Sequence, residues 1–512
     1  MRLFIPTLFI SLLLFSCGGR PGNNTTSESE STDGNGEGQN PAENQVFVRK
    51  DINTLSTGDP VIESYKRAIE VMRRRDSSDP TSWLYQAAIH GTYTSPSQEL
   101  WDQCQHGSFY FLAWHRIYLY YFERIVRDAS GDTNWSLPYW NYSDNPDFRR
   151  LPEVFRLPTT NNPLYNSERN SRINSGSRLN PSDVSYEAAF SRINFTSSTG
   201  SGQSFGGQRV TRPSHFAGPH GRIENQPHDV VHMGIGGWMS DPNTAAQDPI
   251  FWLHHANIDR LWEKWLELGN GRANPTNDEA WMNTVFEFFD ENGRKVSKTG
   301  AQILSTVNQL GYRYDDQQES VQLLASQTPN AESSDESETL ESMQQSSKRI
   351  FELNVNQKVT DQLTTFSLSA VPQETDDLVL EDASNIEYIL YLEGITYDEA
   401  PTGSFEVYIN LPEGLSDPQF ESEYYVGNIG LFGLMNAKHG VESEGGTVAI
   451  DLGDAIRNLL KQEKINTEEI SITIYRRPLE DPPNNENSQV DSIQDEPLKG
   501  SINIKSMRIE KT

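Results

Sequence analysis

Cysteine is almost missing from this sequence: 512 residues contain two, Cys17 and Cys104. Two thiols exclude a disulfide framework, a four-thiolate zinc site and a cysteine-ligated iron–sulfur cluster built from this chain alone. Positive charge is also scarce, with 42 Lys and Arg against 72 Asp and Glu and a formal net charge of −30. Such a chain repels phosphate, which argues against nucleic acid or an anionic membrane surface as its main partner. Apolar residues make up only 35 %, so part of the chain is expected to lie outside any packed core. The apolar stretch Leu3 to Phe15 is too short to span a bilayer stably. Histidine, by contrast, is concentrated. Nine of the ten lie between His90 and His255, and all ten tryptophans lie between Val46 and Tyr314.

Composition divides the chain into five parts. Residues 1–16, a charged start followed by an apolar run, read as an export signal. Leu14-Phe15-Ser16-Cys17-Gly18 resembles a bacterial lipobox, so Cys17 is the expected lipid attachment site. That predicts a lipoprotein of the bacterial cell envelope, facing the periplasm or associated with the outer membrane and touching membrane only through this anchor. Residues 17–45, rich in Gly, Ser, Thr, Asn and Glu, read as a tether. Residues 46–316 carry the patterned sequence, and residues 317–347 form an acidic, protease-accessible linker. In 348–512, short β-like runs such as Ile350 to Val355, Ile386 to Leu392, Phe405 to Leu411 and Ile470 to Tyr475 alternate with Gly, Pro and Asp clusters, which predicts a sandwich. An acidic insert, Glu480 to Glu496, interrupts its end.

The histidines occur in three helical contexts. His106 and His115 are nine residues apart and would point to opposite sides of one continuous helix. Both can reach one ion if the helix starts between them, with Ser108 as N-cap. His228 and His232 are four apart, which places both on one face of a helix whose first turn tolerates Pro227. A third helix opens at Asp248-Pro249 and carries His254 and His255, with Asp259 one turn beyond His255, within reach of its second ring nitrogen. His255 is therefore the expected ligand, and His254 stands behind it. With His90 at the end of a mixed helix, two triads emerge: His90, His106, His115 and His228, His232, His255. Imidazole-only coordination suits copper better than magnesium or calcium, while zinc remains chemically feasible. A zinc protease would need Glu after the first histidine of its helix, where this chain has Asp229.

The run from His106 through Phe111, Trp114, His115, Arg116, Leu119 and Glu123 resembles the first copper signature of the tyrosinase and polyphenol oxidase family. Asp248-Pro249, Phe251, His255 and Asp259 resemble the second. Val48-Arg49-Lys50-Asp51, the Glu224 to His228 run, Tyr312-Arg313-Tyr314 and the Gly394 to Leu411 segment extend the resemblance to plant members. It implies a multidomain protein: a mainly α, four-helix-bundle catalytic domain holding two copper ions, one on each triad, followed by a shielding β-sandwich. It also implies a thioether between Cys104 and His106, as in fungal members. Glu224 and Asp229 would serve catalysis by holding a water that takes the phenolic proton, with Asp259, His254 and Arg260 around the ligands. Phe432 is the implied plug, and Pro242 falls near the place where many plant members carry a shielding Phe. The implied reaction uses O2 to oxidise o-diphenols to o-quinones, with monophenol hydroxylation depending on Asp229 and latency relieved by a protease. The rival readings are a hemocyanin-like oxygen carrier and an o-aminophenol oxidase.

Overall fold

The computed structural model describes residues 45–197, 203–216, 218–317, 347–371, 380–381, 386–397, 399–434, 445–465, 468–481 and 498–512. The expected export signal, Cys17, nearly all of the tether and linker, and most of the acidic insert lie outside the described residues. Among the described residues no helix is long and apolar enough to cross a membrane.

The N-terminal half is helical, and its helices start where polar side chains can accept their first free N–H groups. Asp59 accepts from Val61 and Pro60 takes the first position of helix Pro60–Arg74, which buries Ile62, Tyr65, Ile69 and Met72. Ser82 accepts from Tyr85 to open Trp83–His90. Helices Phe111–Ser130 and Ile250–Glu267 pack against each other and are almost wholly buried. Two boundaries differ from expectation. Ser108 is not a cap: the Phe109 N–H donates to the Gln208 carbonyl, which keeps this stretch a loop, and the helix begins at Phe111. His228 and His232 do not share one regular helix either. Pro227 disfavours a helical residue before it; Gln226 is extended at φ −151°, Glu224–Asp229 form a wide turn, and the helix proper is Val230–Ile235.

The C-terminal half is β-rich. Its strands follow one hydrogen-bonded order, Gly446–Asp451, Tyr388–Ile395, Ile502–Lys511, Lys348–Val359, Leu363–Ala370, Glu469–Arg477, Ser404–Ile409 and Tyr425–Asn428. All of these pairings are antiparallel. Where two stacked sheets were expected, this is a single eight-stranded sheet whose two edge strands contact each other. Helix Gly453–Lys461 adds Ile456 and Leu459 to its core. Hydrogen bonds and ion pairs join the halves: Asn180 Nδ2 to Ser404 Oγ at 2.9 Å, Ser182 Oγ to Glu406 at 2.7 Å, and Arg149 with Glu480 at 2.9 Å. Arg192 pairs with Asp451 and Arg172 with Asp481.

Strand Phe47–Arg49 pairs in parallel with Tyr312–Tyr314, bringing the two ends of the helical half together. The same contact delivers Arg49 into a buried charge cluster. Arg49 Nε donates to Glu123 at 2.9 Å, Arg116 Nε to Asp259 at 2.6 Å, and Arg116 Nη2 to Glu263 at 2.7 Å. The Tyr312 and Tyr314 hydroxyls both donate to Asp259 Oδ2 at 2.6 Å. Burial would raise the Asp259 carboxyl, but Arg116 and Arg49 outweigh it and hold the group below the usual range. Removing one partner from such a set leaves buried charge uncompensated. Asp259→Ala should therefore lower the unfolding free energy by about 3–5 kcal/mol in urea titrations, and a loss below about 1 kcal/mol would class the cluster with screened surface bridges.

Candidate metal centre

Four helices, one loop and the wide turn bring the six expected histidines into one buried volume. His90 closes Trp83–His90, His106 lies on the loop before Phe111–Ser130, and His115 lies within that helix. His228 sits in the turn, His232 in Val230–Ile235 and His255 in Ile250–Glu267. In the first triad, ring centroids are 5.4 Å apart for His90 and His106, 5.4 Å for His106 and His115, and 5.6 Å for His90 and His115. Side-chain nitrogens of His228, His232, His254 and His255 lie within 4.8 Å of one another. The triads touch, with His115 and His255 stacked at 4.4 Å.

Hydrogen bonding decides which nitrogen faces inward. Nδ1 of His90 lies 2.9 Å from the Pro242 carbonyl, that of His115 2.8 Å from the Phe111 carbonyl, and that of His232 2.7 Å from the Met239 carbonyl. A carbonyl can only accept, so each Nδ1 carries the proton and Nε2 keeps its lone pair. The Nε2 atoms of His90, His106, His115 and His228 are buried and have no hydrogen-bond partner. Burial, with added repulsion among the imidazoles of most of them, holds all six rings well below the usual histidine range, His115 at about 3. Neutral rings with converging, unpartnered lone pairs are what a pair of soft-to-borderline cations requires.

The surrounding residues depart from expectation in places. Asp259 does not bind His255: its oxygens are taken by Arg116, Arg49, Tyr312 and Tyr314, and His255 Nδ1 is left without a partner. Arg260 touches no ligand. It points outward to Asp316 at 2.6 Å and to Asn257 at 3.1 Å, because its position on the helix faces away from the triads. His254 is nearer than expected, stacked on His228 at 5.4 Å with Nδ1 3.3 Å from the Tyr142 hydroxyl. Cys104 Sγ lies 3.3 Å from His106 Nδ1 and 3.2 Å from His215 Nδ1. Pro242 supplies the carbonyl that orients His90.

Glu224 and Asp229 are both fully buried and both engaged. The two oxygens of Glu224 accept the Gly107 N–H at 3.0 Å, while Asp229 Oδ1 lies 2.8 Å from His228 Nδ1 and Oδ2 2.6 Å from His220 Nδ1. Burial pushes both carboxyls up. Burial also opposes charge on His220, but Asp229 and Glu224 outweigh it and push that imidazole up. His220 and Phe216, which stacks on His106 at 5.4 Å, were not anticipated from the sequence. Their only signal is the His215-Phe216 and His220 cluster just upstream of Glu224, and nothing in it reveals that this loop folds over the site.

Phe432 reaches the centre from the C-terminal half. Fully buried, it stacks on His232 at 3.9 Å and 19° and lies 5.4 Å from His228, 5.6 Å from His106 and 6.4 Å from His90. The loop that carries it fits tightly. A Cβ on Gly430 would meet Asp229 Oδ2 at 2.6 Å, and one on Gly433, at φ +81°, would meet Phe216 at 2.8 Å.

Comparison with known proteins agrees with this geometry. The common central domain of tyrosinase matches residues 80–268, the polyphenol oxidase middle domain matches 276–323, and a domain of unknown function matches 325–493. A tyrosinase of Hahella sp. (strain CCB-MM4) is 35 % identical over 467 residues, which cover 84 % of this chain and 95 % of the relative. The aureusidin synthase of Antirrhinum majus is 32 % identical over 293 residues, half of each chain. The structure of latent apple tyrosinase superposes with a TM-score of 0.59 at 24 % identity, covering 91 % of this chain and 97 % of the other. Recombinant latent aurone synthase gives 0.59 at 22 %, covering 92 % and 90 %. These two share the fold, a helical core followed by a β-rich C-terminal part. The Hahella relative is covered almost end to end and the matched central domain contains all six histidines, so the chain belongs to the tyrosinase family and its cofactor is a pair of copper ions.

Proposed function

We propose that this protein is a latent type-3 copper oxidase that uses O2 to convert o-diphenols to o-quinones. The observation that carries this reading is the pair of abutting triads, capped by Phe432, in which the Nε2 atoms of His90, His106, His115 and His228 have no partner and those of His232 and His255 face each other at 3.3 Å. His90, His106 and His115 would hold one copper and His228, His232 and His255 the other, within the four-helix bundle of a catalytic domain spanning 46–316. Two coppers close together supply the paired electrons that O2 needs, so that two catechols and one O2 become two quinones and two waters. The chain's own part is to keep the imidazoles neutral, exclude water and present a planar ring to the site. A monophenol asks more, because its O–H, with a pKa of about 10, must be deprotonated before the oxygen can bind metal. Glu224 and Asp229 would hold the water that takes this proton, yet the oxygens of Asp229 lie against His228 and His220, which favours diphenol oxidation as the main activity.

The same reading gives the β-rich C-terminal half a shielding role, with Phe432 occupying the place of the substrate ring. The closeness of Cys104 to His106 supports a thioether between them. On sequence grounds Cys17 carries a lipid that anchors the protein in a bacterial cell envelope, and a protease cutting between Gln317 and Ser347 releases the site.

Elemental analysis should find about two coppers per chain, and His115→Ala should retain about one and lose quinone formation. Retention of both coppers would remove His115 from the ligand set. Phe432→Gly should raise kcat/KM for 4-tert-butylcatechol by at least about tenfold without proteolysis, because it empties the position over the metals. An unchanged value would mean that Phe432 is not the barrier. The copper-free chain should also lose stability in acid. Its buried imidazoles have folded pKa values below the unfolded one, so stability is complete above about pH 6.5 and falls as pH drops below it, where only the unfolded chain takes up protons. Urea midpoints measured between pH 8 and 5 check the sign.

A further inference from the structure

His220 is a mostly buried histidine that neither the six-ligand set nor the catalytic carboxylates account for. Its Nδ1 lies 2.6 Å from Asp229 Oδ2, its ring lies along His106 at 6.1 Å and 27°, and its distance to Glu224 Oε1 is 3.8 Å. Each oxygen of Asp229 is thus occupied by an imidazole, Oδ1 by His228 and Oδ2 by His220. Glu224 is held separately, its two oxygens sharing the single Gly107 N–H at 3.0 Å. In the closed chain the Gly430 backbone also covers Oδ2, at a point where a Cβ would stand 2.6 Å away. Once that loop withdraws, His220 is the remaining cover.

We propose that His220 decides which phenols turn over: it is a positioning residue that holds the outer oxygen of Asp229, so that this carboxylate orients His228 and is withheld from the O–H of a monophenol. This rests on the phenol oxidase reading above. The two substrate classes differ in what they need from the protein. In a catechol one hydroxyl can donate to its neighbour, so an acceptor is carried within the molecule. A monophenol has a single O–H and no internal acceptor, and an occupied Asp229 leaves it unmatched, at a cost typical of an unmade hydrogen bond to a charged group. His220 therefore sets the ratio of monophenol to diphenol turnover without touching either copper.

The test uses the copper-loaded protein cut by protease between Gln317 and Ser347, so that the Gly430 loop can withdraw, with kcat and KM measured for 4-tert-butylphenol and 4-tert-butylcatechol and copper determined in each variant. His220→Leu removes the donor, and His220→Asn keeps an N–H at nearly the Nδ1 position. The ratio of kcat/KM for phenol over catechol should rise roughly tenfold in His220→Leu and stay near the parent value in His220→Asn. In an Asp229→Asn background the His220→Leu change should disappear, because the two residues act as one unit. In the copper-free chain, the His220 Nδ1 proton seen by nitrogen-correlated NMR should shift on Asp229→Asn. Catechol turnover by the parent reads the oxidase assignment separately, whereas the ratio and the proton shift read His220. An unchanged ratio in His220→Leu, a rise that persists beside Asp229→Asn, an unmoved Nδ1 proton, or copper falling below two per chain in His220→Leu would each overturn the proposal.

Discussion

The rest of the structure depends on keeping six imidazoles neutral, aimed at one another, in a volume that excludes water. Left to themselves, such groups would protonate, repel and let solvent in. Here, three of them give their Nδ1 protons to main-chain carbonyls, of Phe111, Met239 and Pro242, so the tautomer is set by backbone that cannot move without unwinding a helix or loop. His115 bonds to the carbonyl of its own preceding turn, and is thereby oriented by the helix that carries it. The other carbonyls come from the segment between helix Val230–Ile235 and helix Ile250–Glu267, which makes that irregular stretch as important to the centre as the helices. Metal affinity then rests on local backbone geometry more than on any single side chain.

Holding Phe111–Ser130 against Ile250–Glu267 at the right spacing falls to the buried charges. Arg116 and Asp259 face each other across the helix pair, and Arg49 joins them from the first strand of the helical half, with Tyr312 and Tyr314 from the last. Desolvating so many charges is costly, and an apolar replacement of equal shape could match them in stability alone. What ions add is direction. An Arg–carboxylate pair has one good geometry, and here it fixes the rotation of two helices that each carry a metal ligand, His115 and His255, stacked at 4.4 Å.

Much of the site was legible in the sequence, because metal chemistry constrains residue type and helical spacing together. The two triads could be read from residue type and local context, although His228 and His232 do not share the helix their spacing suggested, and Cys104 entered through the resemblance to fungal members. The failures share a cause: contacts made by backbone, or between segments distant in sequence, leave no periodic trace. Asp259 is one turn from His255, and the spacing is correct, but two arginines and two tyrosines from elsewhere compete for its oxygens and win. Ser108 has the chemistry of a cap, yet the pairing of Phe109 with Gln208 delays the helix. His220 follows the same logic. Its partner Asp229 is nine residues away, across a turn that sequence periodicity describes as a helix. In the C-terminal half the strands were visible one by one, whereas their single continuous order is a matter of pairing between strands distant in sequence.

The covering loop shows why emptying the place of the Phe432 ring and uncovering Asp229 are separate events. Burying one Phe ring yields about 1.5–3 kcal/mol, too little to hold a site closed by itself. Phe432, however, is flanked by Gly430 and Gly433, which lie so close to Asp229, Asn225 and Phe216 that neither position has room for a side chain. The Gly430 N–H donates to Asn225 Oδ1 at 3.2 Å, and Asn225 Nδ2 donates to the Asn428 carbonyl at 3.1 Å. The loop is therefore seated by its backbone on the turn that presents His228, and it continues from the edge strand Tyr425–Asn428 of the large sheet. Swinging the ring alone would leave Gly430 still covering Asp229. Releasing both means lifting the edge strand, which also breaks the contacts of Ser182 with Glu406 and Asn180 with Ser404 on the neighbouring strand if that strand follows. Closure is thus a property of the interface between the two halves, and the aromatic ring over the metals is the part of it that touches the chemistry.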